Sequence, residues 1–180
     1  FSRERVQIYV PANVERDINI VPMQETLLVS DVSRRRKMLL DVMKRDVRRS
    51  LGAIAIALDN PDSETSHYAA SVVMDALSEF RGNVQNMHVR FKQDPEDFEL
   101  GSLLLEYINE VLNQNILTGD EKRSYTYLED EIGDLLYRYY PQRVEGLQYR
   151  RLMEDLVDVG DYPIAEKWSR RALKHRDYQL

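Results

Sequence analysis

With 180 residues, 43% hydrophobic and 31% charged, the chain has the balance of a folded protein and not of a disordered one; its length suits one elongated helical array or at most two small domains. The absence of cysteine excludes a disulfide framework and a thiolate metal site, and it fits a reducing compartment. The net charge of −6 is uneven: residues 1–50 carry 11 Lys and Arg against 7 Asp and Glu, and residues 51–147 carry 7 against 18, which argues against nucleic acid as the main ligand because no basic stripe is sustained.

Residues 1–30 begin with the run Val6-Gln7-Ile8-Tyr9-Val10 and are then broken by Pro11 and Pro22, so an extended lead-in with at most one short strand is expected. From Asp31 the period changes. Val32, Leu39, Leu40, Met43 and Val47 recur at helical spacing and predict a first amphipathic helix ending near Asp46. A second helix over 47–58 is apolar on every face, as expected of a helix packed on both sides, and its Gly52 suits close helix approach. The run Leu51 to Leu58 is the most apolar in the chain, yet it is far shorter than the roughly 18 to 20 residues that a membrane span needs.

Asp59-Asn60-Pro61-Asp62 reads as a turn, with Ser63 or Thr65 capping a third helix whose stripe is Ala69, Val72, Val73, Ala76, Leu77 and Phe80. That helix is expected to continue past Gly82 through Val84, Met87 and Phe91 to Asp94-Pro95. A fourth helix turns Leu100, Leu103, Leu104, Tyr107, Ile108, Val111 and Leu112 inward and closes at Thr118-Gly119-Asp120. Tyr125, Leu128, Ile132, Leu135, Leu136 and Tyr139 mark a fifth helix, stopped by Pro141.

The last helix pair fits a 34-residue tetratricopeptide (TPR) register: Tyr149, Leu152, the Gly160-Asp161-Tyr162 turn, Ala165 and Ala172. Small residues at 165 and 172 are required because a bulkier side chain would push the two helices apart. Met153, Ser169 and Asp177 depart from the pattern, and Trp168 stands one position early. The predicted fold is therefore all-α: an antiparallel helix-pair solenoid with an extended lead-in (1–30), HEAT-like helices (31–93) and TPR-like repeats (94–180). Since the chain opens on Phe1 and stops at Leu180 within an unfinished repeat, an excised fragment is expected, from which flanking membrane segments could have been removed.

Residues that could carry chemistry are sparse. His67, His88 and His175 lie far apart and lack metal-ligand spacing, while His67 and Tyr68 are expected to bond to a neighbouring turn. Glu96-Asp97-Glu99 and Glu129-Asp130-Glu131 are read as solvated acidic helix starts. The seven glycines are dispersed, with no phosphate loop or nucleophile elbow. No catalytic, cofactor or metal residue is predicted. A hydrolytic alternative would need Glu and Asp side chains converging in one buried cleft with raised pKa values. The candidates for partner binding are the basic run Arg34, Arg35, Arg36 and Lys37, together with Tyr125, Tyr139 and Tyr149 from a set of eleven tyrosines.

Val21-Pro22-Met23-Gln24-Glu25-Thr26, Arg35-Arg36-Lys37-Met38-Leu39-Leu40 and Glu64-Thr65-Ser66-His67-Tyr68-Ala69-Ala70, followed by a C-terminal TPR, together resemble the PelE family of the bacterial Pel exopolysaccharide machinery over nearly the whole chain. The resemblance implies a cytoplasmic repeat domain tethered to the inner membrane by upstream helices, without cofactor or catalysis. It also implies assembly with a c-di-GMP receptor, a glycosyltransferase and a transporter subunit. The basic first 50 residues would then lie beside the cytoplasmic leaflet. The alternative is a regulatory TPR/HEAT domain of a signalling protein, holding a peptide or small ligand in a deep pocket lined by Tyr125, Tyr139 and Tyr149.

Overall fold

The computed structural model describes residues 34, 37–45 and 63–177, and the chain divides into two units, 1–39 and 40–180. The expected extended lead-in, the helix over 47–58, the turn at 59–62, and Arg35 and Arg36 lie outside the described residues. In the first unit, Arg34 and residues 37–39 are helical. In the second, residues 40–45 are helical and five helices follow: α1 (Ser63–Gln93), α2 (Phe98–Asn113), α3 (Gly119–Tyr139), α4 (Gly146–Asp158) and α5 (Tyr162–Asp177). There is no strand among the described residues, and no helix among them is long and apolar enough to cross a membrane.

Each boundary has a local cause. α1 runs unbroken through Gly82, and Pro95 then favours a restart because it has no N–H to donate. Asp97 caps α2, its Oδ1 accepting from the Leu100 N–H at 3.0 Å. α2 stops at Asn113, earlier than the Thr118-Gly119 signal suggests, because Asn115 adopts a left-handed φ of 55°. Pro141 follows directly on the C-cap of α3. α4 opens with a capping box: the Glu145 carboxylate accepts from the backbone at Gln148, whose side-chain Oε1 accepts from the Glu145 N–H at 3.0 Å. The α4–α5 turn passes through Gly160 at φ 81°, a conformation in which a Cβ would be strained, and the Asp161 Oδ1 accepts from the Ile164 N–H.

The apolar stripes become one core. Leu40, Met43, Leu77, Phe80, Val84 and Phe91 pack with Leu104, Leu105, Tyr107, Ile108, Val111 and Leu112 of α2, and the core continues through Ile132 and Leu136 to Tyr149, Leu152, Leu156, Ala165 and Trp168. Two glycines set how closely these helices approach. A Cβ on Gly101 would come within 2.7 Å of both Phe91 and Leu136, and one on Gly133 within 2.9 Å of the Trp168 ring. Any larger residue at either site forces its neighbours apart.

The order of contacts fixes helix direction. Between successive helices it is reversed: Tyr107 of α2 meets Phe80 of α1, while Gly101 meets Phe91; Lys122 of α3 pairs with Asp158 of α4, while Tyr137 meets Tyr149. Between alternate helices it advances in step. Arg81 and Lys92 of α1 pair with Glu121 and Glu131 of α3, Ser102 and Asn109 of α2 bond to Gln148 and Asp155 of α4, and Asp130 and Asp134 of α3 pair with Lys167 and Arg171 of α5. Neighbours are therefore antiparallel and alternate helices parallel.

Candidate functional site

The sequence candidates divide between the two units. Arg34 and Lys37 are exposed in the first unit. Tyr125 is half-buried against Phe80, with ring centroids 4.8 Å apart. Tyr139 is 41% exposed beside Tyr140. Tyr149 is buried among Tyr137, Trp168 and His175. The three tyrosines thus line no common pocket. Tyr149 alone reaches a groove of about 370 Å³, which it shares with Gln142, Arg143, Val144, Glu145, Gly146, Ala172 and His175. At one wall of this groove the Arg143 guanidinium stacks 4.0 Å over Phe98 and donates to Glu99 at 2.8 Å.

The TPR positions divide in the same way. Tyr149, Leu152 and Ala165 are buried and Ala172 packs against the core, but Tyr162 is 66% exposed. Trp168, one position early in the register, is fully buried and donates from Nε1 to Asp130 Oδ1 at 2.6 Å. His67 and Tyr68, expected against a neighbouring turn, face solvent.

One expectation is reversed. Glu96-Asp97-Glu99 does mark a helix start, but Glu129-Asp130-Glu131 lies ten residues into α3, and only Glu131 is exposed. Asp130 holds Lys167 and Trp168, both at 2.6 Å. Glu129 is 2% exposed. Its turn of helix lies on the stripe formed by Tyr125, Ile132 and Leu136, so helical spacing carries this carboxylate inward with the apolar residues.

Glu129 lies against Asp155 of α4, which is 8% exposed, and two such buried carboxyls can act as donor and acceptor only while one of them holds a proton. Asp155 Oδ2 also accepts from Asn109 Nδ2 of α2 at 2.7 Å, and Asn109 Oδ1 accepts from Asn113 at 2.9 Å. Burial, then the Asp155 charge and hydrogen bond, push Glu129 well above the usual carboxylate range, against the pull of Arg151. Burial raises Asp155 as well, opposed by the hydrogen bonds from Glu129 and Asn109. The other oxygen of Glu129, Oε2, is buried without a hydrogen-bond partner.

Beside the pair is a cavity of about 10 Å³, lined by Leu105, Glu106, Asn109, Glu129, Gln148, Arg151 and Leu152. That volume holds about one water molecule. The convergence that acid–base hydrolysis would need is thus present, without space for a substrate beside it. No group of three or more potential metal ligands occurs among the described residues. No family model matches the chain, and neither a curated protein nor a solved structure matches it.

Proposed function

We propose that the chain is a helix-pair solenoid that binds another protein through the face shared by α2 and α4, without turnover. The carrying observation is the alternation of directions: antiparallel neighbours with parallel next-nearest helices is how helix pairs stack in repeat proteins, and the first helices of successive pairs then line one continuous surface. In the TPR register α4 is the first helix of a pair, and α2 stacks beside it through Ser102–Gln148 and Asn109–Asp155. Repeat surfaces of this type bind peptides and domains and leave chemistry to their partners.

The resemblance to the PelE family supports a more specific reading. The chain would serve as the repeat domain of an inner-membrane, Pel-type exopolysaccharide complex, assembling glycosyltransferase and c-di-GMP receptor subunits on the cytoplasmic side. The test is a cross-linked pull-down of the full-length protein from bacterial membranes, with the linked residues mapped by mass spectrometry. Recovery of a glycosyltransferase or c-di-GMP receptor linked to α2 or α4 is the expected result; recovery of soluble signalling proteins alone overturns it. The Arg143–Tyr149–His175 groove favours the second reading, a regulatory domain with a peptide or small-molecule ligand. Protection of that groove, with α2 and α4 left unlinked, would select it.

A further inference from the structure

The buried carboxyl pair sits at the junction of three helices: α3 supplies Glu129, α4 supplies Asp155 and Arg151, and α2 supplies Asn109 and Glu106. Most of the acids nearby have cations of their own. Glu106 pairs with Lys44 at 2.9 Å, Asp158 with Lys122, and Glu154 with Arg150 at 2.8 Å. On α3 itself, Asp130 is neutralised by Lys167. The Glu129–Asp155 contact differs because both partners are acids and their separation is set by the packing of α3 on α4. A shared proton turns that contact into a donor and an acceptor; without it, two buried like charges face each other beside a cavity that admits about one water.

We propose that this shared proton is a lock beneath the α2/α4 face, joining α2, α3 and α4 when bound and loosening α4 from α3 when released. The lock rests on the preceding reading only in taking that face as the binding surface. Its sign follows from the native pair holding its proton more tightly than free carboxyls do. The stabilisation is complete below the free carboxylate range of about pH 4 and is lost as pH rises through the pair's native values. Arg151, the cation lining the cavity, moderates the loss.

The test uses the whole 180-residue chain and needs no partner. Thermal melting by circular dichroism is recorded from about pH 5 to pH 9 for the wild type, Glu129→Gln and Asp155→Asn, with amide exchange read along α4. The wild-type Tm is expected to fall by about 3 °C or more across this range, a usual response to one such contact. Glu129→Gln, whose amide donates to Asp155 without a titrating proton, flattens the fall. Asp155→Asn removes the neighbouring charge and moves the midpoint of the fall to lower pH. α4 amides, corrected for intrinsic exchange, lose protection with rising pH in the wild type and keep it in Glu129→Gln.

Equal slopes for the wild type and Glu129→Gln overturn the lock. If Glu129→Gln does not fold, an unmoved midpoint in Asp155→Asn overturns it instead. Failure of the pull-down with the expected melting slopes removes the binding face and leaves the lock standing. Capture of a partner with no difference in slope does the reverse.

Discussion

Gly133 and Trp168 form a pair in which one residue is defined by the other: the indole occupies the space where a Cβ at 133 would stand, and its N–H is satisfied by Asp130 one helical turn away. Gly133→Ala is expected to cost about 1 to 3 kcal/mol through overpacking, read as a lower urea midpoint at unchanged slope. Tyr149 shows a different constraint, because its buried hydroxyl has no hydrogen-bond partner and burial pushes its ionisation up to about 12. A native pKa above the free value of about 10 leaves stability intact below pH 10 and erodes it as pH rises through 12. Tyr149→Phe, which loses no hydrogen bond, is expected to melt close to the wild type at pH 7 and to resist unfolding better between about pH 10 and 12.

Among the elements, α1 is the longest, with 31 residues, and it carries Gly82 on an exposed face where an added Cβ meets nothing within 4 Å. The helix persists there because packing on either side, at Leu77, Phe80 and Val84, outweighs the low helix propensity of one glycine. Gly82→Ala is expected to stabilise the chain by about 0.5 to 1 kcal/mol, raising Tm by roughly 2 to 4 °C. No rise, or a fall, would show that α1 needs the glycine for a bend or a contact. The stripes of α1 to α3 were legible because the spacing of leucines and aromatics reports one buried face. The end of α2 was less so, since the left-handed turn at Asn115 precedes the stronger Thr118-Gly119 signal.

Across the second unit, each helix leans on its neighbours in sequence and on the next but one, so disruption at one end is expected to spread only locally. Trp168→Ala, a cavity mutation costing about 3 to 5 kcal/mol, is expected to raise amide exchange in α4 and α5 well before α1 and α2. Uniform loss of protection along the chain would instead mean that the helices melt as one cooperative block. The ion pairs linking alternate helices fix their direction more than their stability, since half-exposed pairs such as Arg81–Glu121 contribute only about 0 to 1 kcal/mol.

The sequence by itself determined that the described elements are helices, where most of them start and stop, and which leucines and aromatics face inward, because periodicity, capping and proline act within a few residues of one another. It also placed Tyr149, Leu152 and Ala165 at buried positions. Tertiary structure alone decided that Glu129 is paired with Asp155, that Gly133 receives Trp168, and that Tyr125, Tyr139 and Tyr149 are kept apart. A charged residue on a helix is read as solvated until another helix is laid over it. The stripe from Tyr125 through Glu129 to Ile132 and Leu136 was written in the chain, but its meaning depended on Asn109 and Asp155, brought from 20 or more residues away by the stacking of α2 and α4.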